Sequence, residues 1–342
     1  MHPQPPHTHI SMLLAILYTI LGLVGILVGA SLLTDGASAI AKKMGLSELI
    51  IGLTVVSFGT SMPEWIISTM SAIDHNAPLA VGNVVGSNIF NILAIIGITS
   101  LIRPIKVSRE ILTVQIPFVL LSSVVLLVMA NGRLLNGSPA NVISRSDGII
   151  LVLFFAVFMW HTVKEALTQR AGQERLERKE EDKPDDKAKK PISQLKAWIM
   201  LLVGLALLIF GGDKFVDGAS DFALRLGVSE GMIGLTIAAV GTSLPELATS
   251  AAAAIKKQNG IAVGNVIGSC VFNVFFVLGT AATIYPLAPG TIGNFDLLTL
   301  TGASLLFWIF GWFFANKEFT RTEGALLTAA YIAYMTLIIM RA

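Results

Sequence analysis

One cysteine, Cys270, is all that 342 residues contain, which excludes an internal disulfide framework and any cysteine-based zinc site. Charge is scarce as well. Asp, Glu, Lys and Arg make up 13% of the chain, against about 25% in soluble domains. With 54% hydrophobic residues, the chain has too few water-facing groups to cover a soluble core. Apolar runs reach about 20 residues, the length at which an α-helix crosses the hydrocarbon core. The fold class implied is an all-α integral membrane protein, with membrane lipid as its surroundings. A net charge of only +2 suggests no nucleic-acid partner. Of five His, three (His2, His7 and His9) fall in a Pro-rich polar tail over residues 1–10, which reads as a disordered leader. The tail lacks the basic start of a signal peptide, so the first apolar run reads as a retained helix.

The apolar blocks predict ten spans. They cover residues 11–41, 48–73, 79–102, 110–130 and 147–167, then 195–225, 230–255, 261–284, 293–315 and 322–341. Between the two sets lies a charged segment, 169–194, containing ERLERKEEDKPDDKAKK. Its mixed charge, with Pro184 and Pro191, reads as a solvated loop or frayed helix. The domain plan is thus a tail (1–10), a first five-helix unit (11–168), a charged cytoplasmic loop (169–194) and a second five-helix unit (195–342). With the N-terminus outside, the loops after odd-numbered spans hold Lys42, Lys43, Arg103, Lys106, Arg109, Lys256, Lys257, Lys317 and Arg321 besides the central basic residues. The other side holds Arg133, Arg145, Arg225 and Arg341. Roughly 19 basic residues against 4 is a strong positive-inside bias. It places the protein in a cell (inner) membrane with both termini outside.

The chain repeats itself. Residues 28–105 align without a gap on 210–287, and roughly 33 of the 78 pairs are identical. GLTVVSFGTSMPE (Gly52–Glu64) matches GLTIAAVGTSLPE (Gly234–Glu246), and AVGNVVGSNIFN (Ala80–Asn91) matches AVGNVIGSCVFN (Ala262–Asn273). Five spans per copy is an odd number, so the second copy enters the membrane from the opposite face. Inverted repeats of this kind typify secondary transporters, with the site at the repeat interface near the bilayer midplane.

The doubled motifs carry the chemistry. Pro63 and Pro245 remove an N–H from the middle of an apolar span and free a carbonyl about one turn upstream. Within hydrocarbon such a carbonyl must face a cavity or a ligand. Free carbonyls, the hydroxyls of Thr60, Ser61, Thr242 and Ser243, and the carboxylates of Glu64 and Glu246 make an all-oxygen environment suited to hard cations. A mid-membrane carboxylate normally marks function, and no Lys or Arg lies near either Glu in its span. The second block adds Ser87 and Asn91, then Ser269 and Asn273, each pair at i, i+4 on one helical face. Gly82 and Gly86, with Gly264 and Gly268, form small-xxx-small patterns for close helix packing. No Lys-Ser/Thr follows GNVVGS and no strand precedes it, which excludes a phosphate loop. No His or Lys general base accompanies the Ser-rich motifs, so the chain is not read as an enzyme.

GTSMPE/GTSLPE together with GNVVGSNIFN/GNVIGSCVFN resembles the two α-repeats of the sodium/calcium exchanger family, within the cation/calcium antiporters. The resemblance spans both repeat cores and the ten-span layout. It implies exchange of Ca²⁺ for Na⁺ by alternating access, with the two ions as cargo and no cofactor. By matched position it implies ion ligands at Thr60, Ser61, Glu64, Ser87 and Asn91, and at Thr242, Ser243, Glu246, Ser269 and Asn273. Backbone ligands fall near Ser57 and Ala239. Some members of the family carry Asp at one Asn position; here both are Asn, so the site offers two formal negative charges, enough for one Ca²⁺. That makes a potassium-requiring variant the less fitting one. The alternatives are a proton-coupled Ca²⁺ exchanger, since a desolvated Glu can carry a proton, and, from another class, a cation channel with a Glu pair as filter.

Other features have structural readings. Lys214 is placed to pair with Asp213 or Asp217 near an interface, Asp35 being the repeat mate of Asp217. Ser47-Glu48 and Ser229-Glu230 are read as helix starts. Trp65, where the second copy has Leu247, is read as a lipid-facing or packing residue.

Overall fold

The computed structural model describes residues 12–180, 192–227, 239–290, 292–313 and 318–341. Apart from one two-residue strand pair it is helical: α1 (Met12–Met44), α2 (Glu48–Thr60), α3 (Met62–Ile73), α4 (Ala77–Ile102), α5 (Ile111–Met129), the short α6 (Gly132–Asn136) and α7 (Arg145–Glu180). Then follow α8 (Gln194–Arg225), α9 (Ala239–Gly241), α10 (Leu244–Ile255), α11 (Asn259–Ile284), α12 (Asn294–Phe313) and α13 (Arg321–Arg341). Among the described residues eight helices are long and apolar enough to cross a membrane, or nine if the bent pair α2–α3 is one span. Residues 228–238, which would begin the seventh expected span and include Ser229-Glu230, lie outside the described residues, as do residues 1–10.

Hydropathy alone located the helix ends to within a few residues, with one exception. The span expected over 147–167 continues as α7 to Glu180, into the segment read as a solvated loop or frayed helix, of which 181–191 lie outside the described residues. The continuation is rich in Glu and Arg, residues of high helix propensity. The end of the apolar run is therefore not the end of the helix. Gln169 in this extension accepts a hydrogen bond from the Ser47 amide at 3.1 Å, tying α7 to the start of α2. There Ser47 caps as expected, its Oγ accepting from the Ile50 amide.

The layering follows polarity. In α11 94% of the most apolar stretch is buried and in α4 78%, whereas α1, α7 and α13 bury only 17–22%. The outer helices turn Leu, Ile and Val outwards, as lipid contact requires, and the helices bearing the doubled motifs occupy the centre. Gly264 sits against Leu49 O at 2.7 Å from where a Cβ would be, so α2 and α11 meet backbone to backbone. Gly268 meets Leu53 O the same way, which is the packing duty the sequence suggested. A Cβ at Gly82 would lie 3.5 Å from the Ile292 side chain, and one at Gly86 would meet nothing within 4 Å among the described residues.

α1 and α8 form the most extensive helix pair. Glycines at seven-residue spacing line the seam, Gly22, Gly29 and Gly36 on one helix and their repeat mates Gly204, Gly211 and Gly218 on the other. A Cβ at Gly29 would lie 2.7 Å from Gly204 O, and one at Gly204 would lie 2.5 Å from the Leu33 amide. Lipid gives no hydrophobic drive for helices to associate, so close van der Waals contact of this kind holds them. A two-residue antiparallel ladder, β1 (Ile105–Lys106) with β2 (Glu318–Phe319), pairs Ile105 with Phe319 and Lys106 with Glu318 at one end of the bundle.

Candidate ion-binding site

The spans bearing the motifs are broken or widened where the motifs sit. α2 and α3 meet at a bend of 48° across Ser61, with Pro63 in the first turn of α3. Loss of the proline N–H makes this the weak point in the ladder, as expected. In the second copy α9 and α10 are likewise separate, with Pro245 in the first turn of α10. α4 widens into a π-helical turn over Phe90–Ile95 and α11 over Phe272–Leu278. These turns begin one residue before Asn91 and Asn273, and such bulges recur at functional sites.

The breaks bring Glu64 and Glu246 into the fully buried interior. Each carboxylate is held by the other repeat. Ser61 Oγ donates to Glu246 Oε1 at 2.8 Å, and its repeat mate Ser243 donates to Glu64 Oε1 at 3.1 Å. Ser87 adds a 3.3 Å hydrogen bond to the same Oε1 and lies 2.9 Å from Ser243 Oγ. Asn273 Nδ2 donates to Ser87 Oγ and to Asn88 Oδ1, both at 3.1 Å, and Asn88 anchors to the Cys270 carbonyl.

Two further asparagines, not singled out in the sequence, brace the carboxylate helices. Asn83 donates to the Glu64 carbonyl at 3.1 Å and to Ser68 Oγ at 2.9 Å. Its repeat mate Asn265 donates to the Glu246 carbonyl at 3.3 Å and to Ser250 Oγ at 3.1 Å. Thr60 Oγ1 closes the frame by donating to Asn265 Oδ1 at 3.0 Å. The signal was present, since Asn83 and Asn265 are identical residues at matching positions of the doubled block, hidden inside a glycine pattern. Asn88 carried no such signal because its mate is Cys270.

Of the buried oxygens without a hydrogen-bond partner among the described residues, five belong to the motifs: Oε2 of Glu64 and of Glu246, Oδ1 of Asn91 and of Asn273, and Oγ of Ser269. Five such oxygens gathered on the doubled motifs fit a cation as their missing partner, because an unsatisfied buried polar group costs about 1–3 kcal/mol. All are oxygens on residues the sequence placed at the site. The Ser57 hydroxyl and carbonyl are both engaged within α2, the carbonyl accepting from the Ser61 amide at 2.9 Å. Thr242 is half-buried in the turn after α9, which Ala239 opens. Asn91 is buried with neither side-chain polar atom bonded.

Among the described residues no cationic side chain forms an ion pair with either glutamate. The ion pairs among the described residues lie elsewhere: Lys214 with Asp217 and Asp213 at 2.9 and 3.3 Å, Arg225 with Asp221, and Lys256 with Asp35 at 2.8 Å. Lys214 therefore pairs with both aspartates the sequence offered. Trp65 packs inward, its Nε1 donating to Thr280 Oγ1 at 3.2 Å and its ring against Phe276. Among the described residues no three His, Cys, Asp or Glu gather, so any cation held here depends on hydroxyl and amide oxygens beside two carboxylates.

The model of the sodium/calcium exchanger protein family matches residues 14–164 and 196–340. The chain belongs to the sodium/calcium exchanger family. It is 36% identical over 332 residues to the inner membrane protein YrbG of Escherichia coli, covering 96% of this chain and 97% of that one. It is 32% identical over 346 residues to the sodium/calcium exchanger MaX1 of Methanosarcina acetivorans, covering 94% and 97%. The solved structure of the sodium-calcium exchanger NCX_Mj soaked with Na⁺ and Sr²⁺ superposes with a TM-score of 0.79 at 30% identity, over 95% of this chain and 98% of that one. Members of this family are multi-pass membrane exchangers, not enzymes.

Proposed function

We propose that this exchanger moves Ca²⁺ against Na⁺ by alternating access, the two ions competing for one set of oxygens around Glu64 and Glu246. The observation that carries the proposal is the reciprocal pairing of Ser61 with Glu246 and Ser243 with Glu64, each carboxylate keeping a buried free oxygen. Two carboxylates balance one divalent ion, and the surrounding hydroxyl and amide oxygens suit a hard cation. Thr60, Ser87, Asn91, Thr242, Ser269 and Asn273, with the backbone near Ser57 and Ala239, complete the ligand set in this proposal. Occupancy by either cargo offsets the charge and permits the switch; an empty, doubly charged site resists closure.

The fold within this proposal is ten spans in two inverted five-helix repeats. The basic loops lie on the cytoplasmic side, as the positive-inside bias supports. The test is uptake of radiolabelled calcium into proteoliposomes under an imposed Na⁺ gradient, with H⁺ and K⁺ gradients as separate arms. Uptake driven by Na⁺ alone supports the proposal. Uptake driven by a pH gradient without Na⁺ replaces sodium by protons as the coupling ion, and flux that needs no counter-ion replaces exchange by a channel.

A further inference from the structure

At the end of the bundle where β1 meets β2, a cleft of about 500 Å³ opens between the loops that follow α4, α10 and α12. Arg103, Lys106 and Arg321 line it, with Glu318 as the one carboxylate. Three cationic side chains against one acid leave a net positive surface. The side chains of Arg103 and Lys106 make no hydrogen bond or ion pair among the described residues, although Lys106 faces Glu318 across the strand pair. Among the described residues Arg321 bonds through its Nε to the Leu101 carbonyl at 3.2 Å, which fixes the guanidinium at the cleft it lines.

Two further features point to a ligand. The 26-residue helix α11 begins at Asn259, which lines the cleft, so the positive end of a long helix dipole opens onto it. Asn259 Oδ1 is buried there without a partner, and the Glu318 carboxylate is an acceptor on the lining. The rim is apolar on the membrane side: Ile102 and Ile255 line the cleft while remaining 39% and 66% exposed.

We propose that this cleft binds the headgroup of an anionic, hydroxyl-bearing phospholipid such as phosphatidylglycerol. The phosphodiester sits among Arg103, Lys106, Arg321 and the α11 N-terminus. The headgroup hydroxyls donate to Glu318, and the acyl chains lie over Ile102 and Ile255. A volume of this size falls within the range of about 300–1,000 Å³ for small-molecule pockets. The lining comes from the loops that carry the positive-inside bias, and basic pockets on that side face the anionic leaflet. The inference rests on the membrane setting and not on which ions are exchanged.

The test uses the purified full-length protein, stripped of native lipid and returned to nanodiscs of phosphatidylcholine doped with phosphatidylglycerol, lipid retention being read by native mass spectrometry. The wild type retains phosphatidylglycerol in preference to phosphatidylcholine. Arg103→Gln with Arg321→Gln weakens that preference on the order of thirtyfold, from about 1 kcal/mol per basic residue. Lys106→Gln, which alters an exposed side chain without a bonding partner, weakens it about fivefold and guards against a folding defect in the double variant. Lys196→Gln, outside the cleft, leaves retention unchanged. Equal retention of phosphatidylglycerol by wild type and all variants overturns the proposal. Retention undone by free inorganic phosphate, with phosphatidylcholine and phosphatidylglycerol bound alike, assigns the cleft to the soluble anion and overturns the lipid.

Discussion

Ser61 and Glu246, 185 positions apart, share a 2.8 Å hydrogen bond across the two halves of the chain. Its counterpart, Ser243 to Glu64, spans 179 positions at 3.1 Å. Each half holds the other half's charge, so neither glutamate is correctly positioned by its own repeat alone. Ser61→Ala and Ser243→Ala are therefore expected to weaken calcium handling alike. A hydrogen bond to a charged group contributes about 1.5–3 kcal/mol, so the half-saturating Ca²⁺ concentration for uptake rises by roughly tenfold or more in each. A change in one and none in the other contradicts the reciprocity.

Asn265 bridges three groups in a fully buried setting, the Glu246 carbonyl, Ser250 and Thr60. Asn83 bridges two at a half-buried position. Replacing Asn265 by Ala orphans more buried partners, at about 1–3 kcal/mol for each group left unsatisfied. Asn265→Ala is expected to lower the thermal midpoint in detergent more than Asn83→Ala does, and a reversed order argues against the bracing role.

The seam between α1 and α8 tolerates no added atom. Gly204→Ala sets a methyl 2.5 Å from the Leu33 amide and close to the Gly29 carbonyl, both backbone, so neither can turn aside. Overpacking of this kind costs about 1–3 kcal/mol. A disulfide between cysteines placed across the seam is expected to form in the parent and to form poorly in the Gly204→Ala background.

Lys256 fastens the end of α10 to α1, through Asp35 at 2.8 Å and the Ser31 carbonyl and hydroxyl at 2.7 and 2.8 Å. The pair is partly exposed, so screening limits its worth. Lys256→Met is expected to cost about 1–2 kcal/mol, seen as a lower thermal midpoint that high salt narrows in the parent and leaves unmoved in the variant.

The helix positions were legible because hydrocarbon demands long apolar stretches with internally satisfied backbone. The doubled GTS-x-PE block marked Glu64, Glu246, Ser61 and Ser243, and the bend at Ser61 follows from Pro63. Which serine meets which glutamate was not legible, since that contact depends on how the halves face each other. The widened turns at 90–95 and 272–278 were hidden for a related reason: apolar residues on both sides carry no periodic mark of an extra residue, and an i, i+4 argument presumes 3.6 residues per turn. Asn88 was invisible because the repeat has Cys270 in its place. The end of α7 was left open between a solvated loop and a frayed helix, because its last turns lie beyond the apolar run.

The central claim is that Glu64 and Glu246 together hold the exchanged cation. Sodium-gradient-driven uptake of radiolabelled calcium, compared among the parent, Glu64→Gln and Glu246→Gln in proteoliposomes, tests it most directly. Each substitution keeps the size of the side chain and removes one of the two charges that balance Ca²⁺, so each variant is expected to lose exchange. Exchange retained by either variant at the parent rate contradicts the account.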